Sequence, residues 1–129
     1  MISHIQPACM PAADGHPGYS QIVTDDLHAY LAGLVAADFP QGRKVLGDVA
    51  AETRAVLEMI AGMLGEIGID MARIVRVDVH LADFAEFDQM DAVYREFFKP
   101  GRYPARTTTE SPRLYGGSRV EITCVARLP

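Results

Sequence analysis

The sequence has no tryptophan, only two cysteines in 129 residues, and no long hydrophobic run. Its longest uncharged apolar stretch, residues 29–37, is about half as long as a membrane-spanning helix, so no membrane partner is expected. Cys9 and Cys124 form neither a closely spaced pair nor a metal-binding pattern, which argues against a disulfide scaffold or a zinc module. Residues 1–14 show no secretory leader, and a cytoplasmic location is therefore expected.

Positive charge is also scarce. Lysine and arginine number 12 against 17 aspartates and glutamates, which gives a formal net charge of −5. Only Lys99, Arg102 and Arg106 form a short basic cluster, so no nucleic-acid partner is expected. The length and the 49% hydrophobic content predict a single domain over residues 1–129, with an irregular lead-in over residues 1–17.

Hydrophobic periodicity predicts six strands and two helices. The predicted strands cover residues 2–5, 19–24, 27–34, 74–81, 105–110 and 120–126. In the fourth of these, Val75, Val77, Val79 and Leu81 alternate with polar residues and are expected to share the buried face. The first helix lies between the third and fourth strands and the second helix between the fourth and fifth.

The two helices have clear boundary signals. Asp48 is a good N-cap residue for the first helix, and Gly68 is the glycine expected after its end. Charged residues, Glu52 among them, mostly fall between its apolar positions, and Gly62 and Gly65 are interpreted as sites of close packing against the sheet. The second helix carries an apolar stripe over residues 87–98, and Pro100 with Gly101 ends it.

The order of elements predicts an α+β fold, a mixed β-sheet with both helices packed on one face. The other face of such a sheet is left uncovered by the chain's own helices. An uncovered sheet face with apolar content usually marks an oligomer interface, so we expect the chain to self-associate.

Two charged residues lie in unusual sequence surroundings. Arg106 begins a threonine-rich predicted strand after Pro104, and Glu121 lies between Val120 and Ile122 in an apolar one. A carboxylate in such a strand needs a partner or carries a desolvation cost. The residues alone leave two alternatives: a structural salt bridge between Arg106 and Glu121 on neighbouring strands, or a functional site. The four histidines are scattered, and no metal site is expected.

Several short segments, in this order and at these spacings, resemble the RidA/YjgF family of reactive-intermediate (imine/enamine) deaminases, which has a chorismate-mutase-like fold. The matching segments are Tyr19-Ser20-Gln21, Gly33, Gly47-Asp48, Thr53-Arg54, Val56-Leu57-Glu58, Leu81-Ala82-Asp83, Val93-Tyr94, Phe97-Phe98, Pro104-Ala105-Arg106, Arg113-Leu114 and Val120-Glu121-Ile122.

The resemblance implies a homotrimer with a barrel-like centre and with ligand clefts between subunits. It implies that Arg106 grips a substrate carboxylate, which suits the planar donor fork of a guanidinium. Glu121 would position or activate a water that attacks the C=N carbon of a 2-imino acid such as 2-iminobutyrate or the imine of 2-aminoacrylate. Ammonia would then leave and a 2-keto acid would form, without a cofactor. Tyr19 would line the cleft, and the backbone of Gly33 would contact the ligand.

The resemblance also marks departures at substrate-binding positions. Ala32 stands where the best-known members have serine, and Thr108 replaces a residue that is often cysteine. Asp91 stands where they have asparagine, and near the cleft its charge would compete with a substrate carboxylate for Arg106. The implied activity is hydrolytic deamination of small imino acids. The alternative is a trimeric protein that binds a small 2-keto acid without turnover. RNA cleavage, attributed to some relatives, is disfavoured by the negative charge.

Overall fold

The computed structural model describes all 129 residues and contains one six-stranded mixed sheet. The strands are β1 (Ser3–Ile5), β2 (Ile22–Thr24), β3 (His28–Val35), β4 (Ile74–Leu81), β5 (Ala105–Glu110) and β6 (Val120–Arg127). Their order across the sheet is β1-β2-β3-β6-β4-β5, and only the β4–β5 pair is parallel. The predicted α+β class is confirmed.

Three α-helices connect the strands: α1 (Pro40–Arg43), α2 (Val49–Glu66) and α3 (Phe87–Arg95). The long helices α2 and α3 pack over one face of the sheet and enclose a core of 24 buried residues. As predicted, the Asp48 side chain caps α2 by accepting a hydrogen bond from the Ala51 N–H at 3.1 Å. Gly68 follows the helix with a φ of 82°, a conformation that favours glycine.

The buried face of α2 differs from the predicted one. Glu52 is fully buried beside Val49 and Thr53, so its assignment to the polar positions is wrong. Gly62 and Gly65 are exposed and approach no sheet backbone. The only atom near a Cβ added at Gly62 is the Cys9 Sγ, at 3.7 Å. The interpretation of these glycines as close-packing sites is therefore wrong as well.

Helix α3 is shorter than predicted, because it ends at Arg95 rather than near Phe98. The next residues form tight turns in which the N–H of Phe97 donates to the Tyr94 carbonyl at 3.1 Å. The Phe98 ring still packs on the Tyr94 ring, with centroids 5.0 Å apart. The apolar stripe thus continues in space after the helix has ended.

A β-bulge near the start of β4 changes the predicted face of one valine. The β4–β6 register shifts between Ile74 and Arg76, so Ile74 is buried while Val75 is 47% exposed. An extra residue in one strand turns its side chain away from the alternation that the neighbours follow. Val77, Val79 and Leu81 lie on the buried face, as predicted.

The sheet face opposite α2 and α3 carries a network of polar side chains. Arg76 donates hydrogen bonds to Asp78 at 2.9 Å and to Thr107 at 2.8 Å, and the His80 Nδ1 lies 2.7 Å from the Thr109 hydroxyl. We call this surface the open face. Among the helices, none combines the length and the apolar character that a membrane crossing requires.

The exposure of Gly62 leads to a stability prediction. Replacing Gly62 with alanine inside α2 should raise the free energy of unfolding by about 1 kcal/mol, because alanine has the higher helix propensity and its methyl group has room. The measurement is chemical denaturation at a fixed protein concentration. Gly42→Ala is the contrasting variant, since a Cβ there would collide with the backbone of Ala36. A Gly62→Ala protein less stable than wild type would contradict the description of this helix face.

Candidate functional site

The strand register divides the predicted site residues between the two faces of the sheet. Arg106 pairs with Val77, so it lies on the face that α2 and α3 cover. Glu121 pairs with His80 and lies on the open face. Within one chain, β4 also lies between their strands. The alternative of a structural salt bridge between Arg106 and Glu121 is therefore wrong.

Arg106 lies on an aromatic platform beside α3. Its guanidinium carbon is 4.6 Å from the Tyr94 ring centroid and 5.4 Å from that of Phe87, within the range of cation–π attraction. Its Nη1 donates a hydrogen bond of 2.7 Å to the Asp91 Oδ1, and 21% of the side chain remains exposed. The platform fixes the guanidinium while leaving part of its donor fork accessible. Such a fork can hold a carboxylate with two parallel hydrogen bonds.

Asp91 bridges two arginines. Its Oδ1 accepts from Arg106, and its Oδ2 accepts from the Nε of Arg95, one helical turn further along α3, at 2.7 Å. Burial alone would raise the pKa of this carboxyl, but hydrogen bonds and charges from the two arginines outweigh burial and leave the pKa below its usual value. Asp91 is thus an ionised carboxylate in contact with the residue expected to hold a ligand's carboxylate.

The Tyr94 hydroxyl has no hydrogen-bond partner, although it is buried. Burial raises the pKa of Tyr94 to about 12, and the nearby Arg106 charge opposes the rise. The phenol therefore stays protonated at neutral pH. Tyr94 acts as a neutral surface beneath the guanidinium rather than as a second anion.

Around Arg106 the structure forms an open cavity of about 260 Å³, lined by Asp91, Tyr94, Arg95, Tyr103, Pro104 and Arg106. Thr108 lies two residues further along β5 on the same face, opposite Val79, and is partly buried. Of the predicted site residues, Arg106, Asp91 and Thr108 thus belong to the helix-covered side of the sheet. We call the cavity beside them the arginine cavity.

Glu121 lies in a second cavity, of about 440 Å³, which we call the glutamate cavity. Tyr19, Gly33 and Glu121 line it, together with residues that include Asp38, Arg43 and Tyr115. Glu121 is partly buried and makes no ion pair within the chain. A carboxylate without a cationic partner beside an open cavity is suited to accept a proton from a bound water.

A bulge in β3 brings Gly33 against the Glu121 carboxylate. The β3–β6 register shifts between Leu31 and Leu34, and Ala32 and Gly33 lie in the irregular segment. A Cβ added at Gly33 would come within 2.5 Å of the Glu121 Oε2 and 3.1 Å of the Thr123 hydroxyl. Only glycine leaves the carboxylate its present position. The Ala32 N–H donates to the Gln21 carbonyl at 3.0 Å, which joins this bulge to the segment before β2.

Tyr19 lies outside the sheet, because β2 begins at Ile22 rather than at the predicted residue 19. Its side chain is 55% exposed and borders the glutamate cavity. The structure therefore groups Tyr19, Gly33 and Glu121 together, and separates them from Arg106, Asp91 and Thr108.

The buried Glu52 anchors the beginning of β6, a role that the sequence analysis missed. Its two carboxylate oxygens accept 2.7 Å hydrogen bonds from the N–H groups of Arg119 and Gly47. The Arg119 side chain in turn donates to Glu86 at 2.6 and 2.9 Å. This arrangement fixes the backbone two residues before Glu121. The sequence did contain a sign of this burial, because Glu52 lies three residues after the apolar Val49 and so shares its face of the helix.

No group of three or more histidine, cysteine, aspartate or glutamate side chains is arranged to hold a metal ion. The side chains that line the two cavities supply guanidinium groups, carboxylates and phenols.

Comparisons with known proteins identify the family. Residues 10–128 match the family model described as endoribonuclease L-PSP. The human 2-iminobutanoate/2-iminopropanoate deaminase is 35% identical over 95% of this chain and 87% of its own length. A RutC family protein of Pyrococcus horikoshii is 34% identical over 84% of this chain and 85% of its own.

A solved structure of a protein of unknown function in the conserved Rid family, from Yersinia pestis, has a similar fold. It is 27% identical, with a TM-score of 0.87 over 99% of this chain and 100% of that one. The matches in sequence and in fold show that the chain belongs to the RidA/YjgF family.

Proposed function

We propose that the protein is a hydrolase that deaminates small reactive 2-imino and enamino acids to 2-keto acids and ammonia. Relatives at 35–36% identity are named 2-iminobutanoate/2-iminopropanoate deaminases. The observation that carries the proposal is the pairing of an accessible guanidinium in one cavity with an unpaired carboxylate in the other. A small 2-imino acid needs both groups, one for its carboxylate and one for the attacking water.

The active cleft is proposed to form between subunits. A substrate of a few heavy atoms cannot contact Arg106 and Glu121 of one chain, because these residues lie on opposite faces of the sheet. Packing of the open face against a second subunit would bring one chain's glutamate cavity to another chain's arginine cavity. A closed homotrimer repeats that contact three times, consistent with cyclic symmetry.

In the proposed reaction, Arg106 holds the substrate carboxylate and orients the C=N carbon toward Glu121 of the neighbouring subunit. An enamine first tautomerises to the imine. Glu121 then takes a proton from water as the water oxygen bonds to the carbon of the protonated C=N group, and the C=N π electrons move to the nitrogen. Protonated Glu121 returns this proton to the nitrogen of the resulting carbinolamine. Ammonia leaves as the C–N bond breaks, and the hydroxyl gives its proton back to Glu121 as it becomes the C=O group of the 2-keto acid. General-base help of this kind contributes about 10²–10⁴-fold.

The other predicted residues have supporting roles in this scheme. Gly33 leaves room for the Glu121 carboxylate, and Tyr19 forms part of the cleft wall. Thr108 lies beside Arg106 on β5. Ala32 supplies no hydroxyl, so fewer polar contacts are available to the substrate on that side.

RNA cleavage has less support, although the matching family model bears the description endoribonuclease. The net charge of −5 disfavours binding to a phosphate backbone.

Removing the Arg106 side chain tests the function. In an assay that follows the decay of 2-iminobutyrate generated in situ from threonine by an added threonine dehydratase, wild type should accelerate the decay. Arg106→Ala should lose about 100-fold or more in kcat/KM, because the substrate loses its charge-assisted anchor. Arg102→Ala is the matched control, since this exposed arginine makes no ion pair. An Arg106→Ala enzyme as fast as wild type would contradict the proposal.

The same preparation distinguishes the binding-protein alternative. If 2-ketobutyrate raises the Tm of wild type while wild type leaves the rate of imine decay unchanged, the protein binds the keto acid without turnover.

Substitution at Gly33 tests the position of Glu121. Gly33→Ala should lower kcat by about tenfold or more, because the new methyl group displaces the carboxylate that activates water. The free energy of unfolding should change little, since the displaced atom is at the flexible end of the Glu121 side chain. Gly18→Ala serves as the control, because a Cβ at Gly18 meets no atom within 4 Å. A fully active Gly33→Ala enzyme would show that the observed carboxylate position is not required.

A further inference from the structure

Three charged side chains meet at the arginine cavity. Asp91 accepts 2.7 Å hydrogen bonds from both Arg95 and Arg106, so the cluster has one negative and two positive charges. Asp91 is the most enclosed of the three, with 14% of its side chain exposed against 21% for Arg106 and 61% for Arg95. Its carboxylate therefore contributes a fixed negative charge at the point where a ligand's carboxylate would bind.

The substrate and the product of the proposed reaction differ in charge. A 2-imino acid with a protonated imine is a zwitterion, with its cationic nitrogen close to its carboxylate. The 2-keto acid product has the carboxylate alone. A fixed anion beside Arg106 repels the net charge of the product, whereas its effects on the two opposite charges of the substrate largely cancel.

We propose that Asp91 is a specificity-determining residue that makes the site favour zwitterionic 2-imino acids over anionic 2-keto acids. The inference rests on the proposed function, in which Arg106 holds the ligand's carboxylate. Its consequence is weak product inhibition, since the 2-keto acid binds a site whose positive charge Asp91 has partly neutralised. Ionisation of Asp91 at neutral pH supports this role, because its two arginine partners lower the pKa of its carboxyl even though burial acts in the opposite direction.

The test compares the binding affinities of two ligands that have the same carbon skeleton but different net charge. Calorimetry gives Kd values for 2-ketobutyrate, an anion, and for 2-aminobutyrate, a stable zwitterion. Asp91→Asn removes the charge with little change in shape, and should tighten 2-ketobutyrate binding about tenfold while changing 2-aminobutyrate binding by less than about threefold. In turnover, the inhibition constant of 2-ketobutyrate should fall by the same factor, with a smaller change in KM for the imine.

Two further variants separate this role from a structural one. Asp88→Asn makes the same change in net charge on the exposed side of α3, where the side chain has no ion pair, and should leave the ratio of the two Kd values unchanged. Arg95→Gln removes a positive charge from the cluster. It should weaken 2-ketobutyrate binding relative to 2-aminobutyrate binding by roughly threefold, which is the opposite of the effect of Asp91→Asn. A structural role for Asp91 would weaken both ligands together.

The outcomes distinguish this inference from the proposed function. If Asp91→Asn shifts the ratio but wild type leaves imine decay unchanged, the charge selection is supported and the deaminase function fails. If wild type hydrolyses the imine and the ratio stays constant in Asp91→Asn, the inference is overturned alone. Failure of both ligands to bind wild type and Asp91→Asn would also overturn it, because the arginine cavity would then not receive carboxylates.

Discussion

The alternation of side chains along the paired strands determines what this protein can do as a single chain and what it cannot. Because Arg106 pairs with Val77 and Glu121 pairs with His80, the two groups project from opposite faces of the sheet. No change of side-chain rotamer brings them together. The proposed chemistry therefore depends on assembly, and the open face that α2 and α3 leave uncovered is the surface proposed for it.

The electrostatic balance of the arginine cavity follows from the packing of α3 against β5. Tyr94 and Phe87 hold the guanidinium of Arg106 by their ring faces, while Asp91 occupies one of its donors. Buried Glu52, on α2, fixes the start of β6, and on the other side of the sheet Gly33 makes room for the Glu121 carboxylate. The arginine cavity thus combines two cations with an anion, and the glutamate cavity contains Glu121, which makes no ion pair within the chain.

Features that depend on local sequence were predictable from it. The Asp48 cap, the alternation of Val77, Val79 and Leu81, and the family resemblance give the fold class and most element positions. The bulges were not predictable, because they depend on pairing with β6, and one of them turns Val75 outward. The residues alone suggested Glu121 as the partner of Arg106, and only the family resemblance drew attention to Asp91. Asp91 meets Arg106 through helix packing, and the strand order places β5 beside β4 rather than beside β6.

Subunit mixing tests most directly whether the active cleft joins Arg106 of one chain to Glu121 of another. Arg106→Ala and Glu121→Gln chains with different tags are co-expressed, and assemblies that contain both are isolated through the two tags in turn. Each variant alone should be inactive toward 2-iminobutyrate. Mixed trimers should recover roughly one third of wild-type activity, because one cleft in three then combines an intact arginine with an intact glutamate. Mixed trimers as inactive as their parents would contradict the account.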